Sequence, residues 1–486
     1  YFVDNQTKYA NGGAINAELG YARTYFGGNI FYANEARENG GGVFLSESLS
    51  NVKRAQVMFV SNYMVENRAG ESGGGAFVDI RNGDYDQNDS PSKFVNFIGN
   101  EIFDNKSAHG GGGVFVNLDD SVTSLVRGTV FGFNQTEETG GGALRVEARD
   151  SSVYFENSAF GYNQAQTGRG GGAYITATGG DVYASGLYAL ANQSLAGTGG
   201  GMEVRANGSN FGMEFAGFYG NEASACGGGL RISGTPSGVG IDQSAFVDNS
   251  ASCGGGAVLR RSAGDLAFLE IKNSEFSGNS ATSSTGGGAI FAQFDDEPDT
   301  ILFLKNSTLS GNMSEGSGSA LGLFNYAQVE IKYSTLADNV AGNGGAAIRT
   351  HADVSCTISN SLFGNNRNGS NEQKDMAGPA DCSVRRSLLQ GAAGSNFVDN
   401  GGNILNVDPK IGPLQNNGGT GGFYGEGSYT HALLGGSPAI DAGSAGSFAP
   451  DYDQRGPGFS RIVGEAVDMG AFELQAGIFS DRFEKP

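Results

Sequence analysis

The sequence predicts an all-β fold, a right-handed single-stranded parallel β-helix of about 12 coils with a C-terminal cap region. Three observations lead there. A unit of about 30 residues recurs along most of the chain. Glycine fills 83 of 486 positions, and each glycine inside a helix costs about 1 kcal/mol. The stretches between the glycines are short and alternating, as in Ala289-Ile-Phe-Ala-Gln-Phe294 and Ile301-Leu-Phe-Leu-Lys-Asn306, which is the period of a strand.

The first half of the unit is an apolar residue, two residues, then Asn. It reads Phe2-Val-Asp-Asn5, Phe31-Tyr-Ala-Asn34, Phe131-Gly-Phe-Asn134, Phe160-Gly-Tyr-Asn163, Phe218-Tyr-Gly-Asn221, Phe246-Val-Asp-Asn249, Phe276-Ser-Gly-Asn279, Leu309-Ser-Gly-Asn312, Leu336-Ala-Asp-Asn339 and Phe363-Gly-Asn-Asn366, with looser copies ending at Asn67, Asn105 and Asn192. The second half is a glycine run entering an apolar strand, as in Gly40-Gly-Gly-Val-Phe44 and Gly286-Gly-Gly-Ala-Ile290. A coil of this length holds three short strands and three turns, stacked about 4.8 Å from the next. The Phe positions are expected to point inward and stack. The Asn positions are expected at a turn, in the left-handed conformation, bonding their equivalents in neighbouring coils. Glycine is expected where backbones approach closely. These are structural roles, and a solenoid built from them grows by adding coils rather than by enlarging a core.

Acidic residues number 51 against 30 basic, a net charge of −21. Nucleic acid is thereby excluded as a direct partner, and so is an anionic membrane surface. No apolar run is long enough to span a bilayer as a helix. The chain opens at Tyr1 inside a repeat unit, which suggests either a further upstream segment or an end left open to another molecule. Cys226 and Cys253 each precede a glycine run, one coil apart; Cys356 and Cys382 open similar stretches, again one coil apart. Adjacent coils bring such α-carbons to about 5 Å, within disulfide range. The pairs Cys226–Cys253 and Cys356–Cys382 are therefore expected, and with them an oxidising compartment. His109, His351 and His431 are scattered and no Cys-x-x-Cys occurs, so zinc is not indicated.

Two coils run long after their first strand. One insertion holds Asn82-Gly-Asp-Tyr-Asp-Gln-Asn-Asp89, the other Asp295-Asp-Glu-Pro-Asp299. Asp84, Asp86 and Asn88 have the alternate oxygen spacing of a calcium loop but lack its Gly and distal Glu. They form a candidate calcium site beside the plainer reading of a solvated acidic loop. Asp119, Asp120, Asp150, Asp181 and Asp265 are read at the same station, giving one edge lined with carboxylates. Residues 1–370 form the repeat region, and 371–486 hold the last coil or coils, the cap and a tail.

The Phe-x-x-Asn and Gly-Gly-Ala/Val/Leu/Ile units resemble the repeats of polymorphic outer membrane proteins. Ser437-Pro-Ala-Ile-Asp-Ala-Gly443, Asp453-Gln-Arg-Gly456 and Asp468-Met-Gly-Ala-Phe-Glu473 are similar to the ending of choice-of-anchor β-helix proteins. Ile478-Phe-Ser-Asp-Arg-Phe-Glu484 resembles a short tail of exported proteobacterial proteins, with Arg482 where that tail commonly has Gly. The resemblance implies a secreted or cell-surface protein of bacteria and supplies no catalytic residue.

Two functions are weighed. The first is a non-catalytic structural or adhesive rod that binds a surface glycan or a host or cell-surface ligand, with end-to-end self-association into filaments as a variant. The second is a polysaccharide lyase or glycoside hydrolase. A lyase needs a base and a neutralised carboxylate, a hydrolase two carboxylates at a set separation. Arg260 and Arg261, one coil before Asp295 and Asp296, are the thin material for it. Such charges are usually surface ion pairs worth at most about 1 kcal/mol.

Overall fold

The computed structural model describes residues 1–19, 23–47, 55–81, 93–120, 122–262, 267–284, 286–295, 300–342, 344–419, 428–446 and 449–475. Among them there is no helix, and they form a parallel β-solenoid of about 12 turns. They divide into two compact units. One is Tyr1–Gly238 with Asn249–Ser252 and Ala257–Arg261; the other is Val239–Asp248 with Cys253–Gly256 and Ser262–Pro486.

In the first unit a representative coil has four strands, Val130–Gly132, Gln135–Thr136, Leu144–Arg149 and Ser152–Glu156. Sequence reasoning leads to three. The strand it lacks is two residues long, too short to show an alternation. Each strand pairs in parallel with its counterpart one coil on, through Phe131↔Phe160, Thr136↔Ala165, Val146↔Ile175 and Phe155↔Ala184. Inward residues are buried, and the rings stack: Phe131 on Phe160 and Phe59 on Phe97, each pair with centroids 4.8 Å apart. The glycine run is needed for two reasons. Gly141 has φ +71, and a Cβ on Gly142 would strike the carbonyl oxygen of Gly171 in the next coil.

The Asn positions form a continuous ladder within each unit. From Asn5 through Asn34, Asn67, Asn105, Asn134, Asn163, Asn192, Asn221 to Asn249, each Nδ2 donates to the next Oδ1 at 2.7–3.0 Å. The second unit repeats this from Asn279 through Asn312 and Asn339 to Asn366, each at 2.9 Å. That ladder ends on Asp375 Oδ1 at 3.0 Å. The second Nδ2 hydrogen goes back to a carbonyl, as from Asn163 to Phe131 at 3.0 Å. Every polar atom of these buried amides is thus bonded, as burial demands.

The left-handed residue is not the Asn. It is the residue before each ladder Asn, with φ from 50° to 63° at Asp4, Ala33, Glu66, Asp104, Phe133, Tyr162, Ala191, Gly220, Asp248, Gly278, Gly311, Asp338 and Asn365. The kink stands immediately before the inward-pointing amide in each coil.

A second polar ladder precedes the Phe strand. In the second unit it runs Ser244, Ser274, Ser307, Ser334, Ser361, Ser387 and Asn403, each backbone N–H donating to the next side-chain oxygen at 2.9–3.3 Å. Strand pairing in this unit continues through Cys382–Arg385 and Leu388–Leu389 to Phe397–Asp399 and Ile404–Leu405. An antiparallel hairpin follows, Ile411–Asn416 with Tyr429–Leu433. Where sequence reasoning looks for a cover over the last coil, residues 428–446 and 449–475 lie along a flank. They pack on the outward positions of Thr308–Ser310, Thr335–Ala337 and Leu362–Gly364, and Leu362, Leu388, Leu433, Ala439, Met469 and Phe472 form the apolar seam.

Candidate functional site

Five strands of the second unit end on one row. They are Phe268–Lys272, Ile301–Lys305, Gln328–Lys332, Ser355–Ser359 and Cys382–Arg385. The residue before the last of each strand, Ile271, Leu304, Ile331, Ile358 and Val384, is buried, which forces the last residue of each outward. Strand register then puts Lys272, Lys305, Lys332, Ser359 and Arg385 directly in line, one per coil. The coils are about 4.8 Å apart, so four cations stand in a row on a chain of net charge −21.

The row is one wall of a groove, and the flanking segment is the other. One part of the groove is a cleft of about 380 Å³ where Lys272, Lys305 and Lys332 face Asp451, Tyr452 and Pro457. The adjoining part, about 260 Å³, shares Lys332 and Tyr333 and adds Arg385, Arg386 and Ser444. The lysines are ion-paired to neighbouring carboxylates on the same outward face. Lys305 Nζ is 2.9 Å from Glu270 and Lys332 Nζ is 2.5 Å from Glu330, while Lys272 lies 3.5 Å from Asp242 and 3.6 Å from Glu270. Burial pulls the Lys272 ammonium down, but Asp242 and Glu270 outweigh it and its pKa is raised. Lys305 also sits over the Phe303 ring at 4.6 Å.

The turn after the row carries a short amide chain. Asn273 Nδ2 donates to Asp242 Oδ1 at 2.8 Å. Asn306 Nδ2 donates to Asn273 Oδ1 at 2.7 Å and to the Tyr452 carbonyl at 3.2 Å. A carboxylate at one end and a carbonyl at the other fix both amide orientations. Asn306 Oδ1 is then left buried with no donor. In the next coil the station is Tyr333, whose hydroxyl donates to the Ser444 carbonyl at 3.2 Å.

The flanking wall is held rigidly. Arg455 is buried between Phe459 and Phe472, 4.0 and 3.8 Å from their centroids, and forks onto Asp453 at 2.5–3.2 Å. Arg461 donates to the carbonyls of Asp468 and Gly470 and lies over Tyr333 at 4.9 Å. Gln454 Oε1 accepts from Thr308 Oγ1 at 2.6 Å, and Ala471 N donates to Thr335 Oγ1 at 2.9 Å. The three C-terminal motifs of the sequence are thus the fastening of this segment.

Beneath it lie buried ionisable groups. His431 Nε2 is 2.8 Å from Ser310 Oγ and its Nδ1 is 2.8 Å from the Gly412 carbonyl. This is the contact pattern of a base with a nucleophile, but Ser310 is 2% and His431 1% exposed, so no substrate reaches it. Burial pushes the Glu275 carboxyl up to about 7, against hydrogen bonds from Ser277 and the Tyr429 backbone. Burial likewise pushes Glu473 up to about 8, against the pull of Arg461.

The residues singled out from sequence fall as follows. Cys356 and Cys382 are in strand register and disulfide-bonded, with α-carbons 4.5 Å apart. Cys226 and Cys253 are disulfide-bonded as well, and no cysteine is free. Asp84, Asp86 and Asn88 lie outside the described residues, as do Asp265, Asp296 and the tail from Ile478. Among the described residues no group of three or more His, Cys, Asp or Glu gathers as for a metal ion. The expected line of carboxylates breaks up. Asp120, Asp150 and Gly179 hold the same turn position in successive coils, whereas Asp119 pairs across to Arg149 and Asp181 stands beside Ser152 and Asn210. Arg260 is exposed and Arg261 buried. Asp295 accepts from Gln293 and Asn325 at 2.9 and 3.0 Å.

The basic row was missed, although a signal for it exists. Ile271-Lys-Asn-Ser274, Leu304-Lys-Asn-Ser307, Ile331-Lys-Tyr-Ser334, Ile358-Ser-Asn-Ser361 and Val384-Arg-Arg-Ser387 repeat one phrase. No family model matches the chain, and no curated protein matches it.

Proposed function

We propose that the protein is an exported, non-catalytic adhesive solenoid that holds a glycan or cell-surface ligand in the groove beside its basic row. The observation that carries this reading is the row itself, Lys272, Lys305, Lys332 and Arg385 in strand register opposite a fastened wall with Tyr452 at its lip. A solenoid presents such a groove over several coils at once, which suits an extended ligand. Two disulfides fit an oxidising compartment outside the cytoplasm. The resemblance to polymorphic-outer-membrane-protein repeats and to choice-of-anchor endings supports the same placement at the bacterial surface.

The test is retention without turnover. Purified protein is incubated with immobilised polysaccharides and with whole cells, and both bound protein and released sugar are measured. Adhesion gives retention with no new reducing ends and no unsaturated products. Release of either product replaces this reading with a polysaccharide-active enzyme. Head-to-tail assembly belongs to the same proposal. Electron microscopy of the released protein tests it, with filaments expected and isolated rods ruling it out.

A further inference from the structure

One guanidinium of the first unit stands without an acceptor. We infer that Arg231, with Arg169 beside it, binds an oxyanion group, a phosphate, sulfate or carboxylate that presents two oxygens to one guanidinium. The site lies in the first unit, so the inference goes beyond the groove of the second and does not depend on it.

Arg231 is the second residue of the strand Leu230–Thr235. Leu230 and Ile232 are buried in the core, so the residue between them faces outward. There it is half-buried rather than extended into water. Strand register places Glu203 beside it in the preceding coil and Val258 in the following one, 0% and 1% exposed. The Val258 side chain offers no acceptor. Both oxygens of Glu203 already accept, one from Arg169 Nη1 at 3.2 Å and the other from the Thr198 hydroxyl. Arg231 Nε is buried with no acceptor, and among the described residues no hydrogen bond or ion pair engages the rest of its guanidinium. A guanidinium carries five N–H donors and keeps its charge. A buried donor left unbonded is costly, so a group that brings acceptors to this face is favoured.

The local charge decides what kind of acceptor that is. Burial pushes the Arg231 pKa down; Glu203 opposes this, and Arg169 and Arg260 add to it. Arg231 is therefore a recessed cation whose one carboxylate neighbour in register is shared with Arg169, itself 46% exposed. A neutral hydroxyl accepts from one N–H and leaves this charge uncompensated, and a metal ion is repelled. An oxyanion supplies the charge together with two oxygens spaced for the fork. The chain as a whole has a net charge of −21, so an anion is held here by local geometry and not by the overall field.

The experiment is calorimetric titration of the full chain with inorganic phosphate, sulfate and acetate, at neutral pH and at an ionic strength held constant with sodium chloride. Saturable binding of at least one of the three at a single site is expected. Arg231→Gln is expected to raise its Kd at least about tenfold. Arg231→Lys keeps the charge and loses the fork, and is expected to fall between the two. The bound ion should raise the melting temperature of the parent and leave that of Arg231→Gln unchanged. Melting without added ion checks that the variants fold, and Lys106→Gln, on a different sheet of the same unit, is expected to bind as the parent. The ion that binds best identifies the group, and tighter binding of its sugar ester than of the free ion places that group on a larger molecule; either result upholds the site. Failure of all three ions to bind above the chloride background, or parental binding by a folded Arg231→Gln, overturns the inference and leaves the adhesive reading of the second unit intact.

Discussion

His431 Nε2 accepts from Ser310 Oγ across 2.8 Å, because its Nδ1–H is committed to the Gly412 carbonyl at the same distance. The carbonyl can only accept, which places the Nδ1 proton in that contact. Burial lowers its pKa, against the Gly412 contact and Asp338. The group's folded pKa lies below the unfolded value near 6.5, so the unfolded chain takes up the proton first. Stability of the second unit is therefore expected to fall as pH drops below about 6.5. His431→Asn should flatten that acid limb in a melting series from neutral to acid pH. An unchanged limb means another group drives it.

Glu275 works in the opposite sense. Its carboxyl is pushed up to about 7 by burial, from an ordinary 4.5. Between those values the folded form keeps a proton that the unfolded form has lost, so stability declines as pH rises from about 4.5 to 7. Glu473, pushed up to about 8, extends the decline by a further unit. Glu275→Gln keeps an acceptor for Ser277 and Tyr429 and removes the titration. It is expected to melt higher than the parent at pH 8 and close to it at pH 4.5. Parallel pH curves for the two proteins would show that Glu275 does not titrate in this range.

Much of this architecture is legible because each coil must solve the same problem. Phe131 and Asn134 recur since every coil needs an inward ring and a satisfied amide in the same place. The left-handed kink is not legible, because the residues that occupy it, from Glu66 to Phe133 to Ala191, share no side-chain chemistry. The two-residue strand Gln135–Thr136 is below the length at which a period shows. The lysine row is written at Ile271–Ser274, Leu304–Ser307 and Ile331–Ser334, but the louder glycine runs set the reading frame and the insertion near Asp295 breaks the step. The flanking wall could not be foreseen. Arg455 and Arg461 are received by the carbonyls of Glu473, Asp468 and Gly470, contacts that no spacing in the chain announces.

The two polar ladders differ in how much they hold. Removing Asn163 strands the Asn134 amide donors and the Phe131 carbonyl inside the first unit. With unsatisfied buried groups costing about 1–3 kcal/mol each, Asn163→Ala is expected to cost about 3–5 kcal/mol. Ser274→Ala in the second unit loses one accepted bond from Ser244 N and one donated to the Lys272 carbonyl, and is expected to cost about 1–2 kcal/mol. Urea unfolding by circular dichroism reads both. A Ser274 cost equal to that of Asn163 would mean that the hydroxyl ladder is no weaker than the amide one.

The Cys356–Cys382 bond closes a loop with a sequence separation of 26 between adjacent strands. Chain-entropy reasoning gives such a closure about 3 kcal/mol. The Cys356→Ala/Cys382→Ala variant is expected to lower the second unit's stability by about 2–4 kcal/mol in denaturant. A cost near zero would mean that residual structure already confines those residues in the unfolded chain.

The last prediction concerns the flanking segment, whose hold on the solenoid depends on Gln454. This fully buried amide accepts from Thr308 Oγ1 and donates to Ser428 Oγ at 2.7 Å and the Tyr429 carbonyl at 3.3 Å. Gln454→Ala leaves the Thr308 hydroxyl and two acceptors without partners, a cost of about 2–4 kcal/mol. Thr308→Val removes the same contact from the other side and keeps the strand. If the two side chains act through their shared bond, the double variant costs less than the sum, with a coupling of about 1–2 kcal/mol. Because the segment carries Tyr452 and one wall of the groove, loosening it should also expose residues 428–475 to limited proteolysis before the coils are cut. Cleavage confined to the coils in Gln454→Ala, with 428–475 left protected, would show that the apolar seam of Leu362, Leu388, Met469 and Phe472 holds the wall without it.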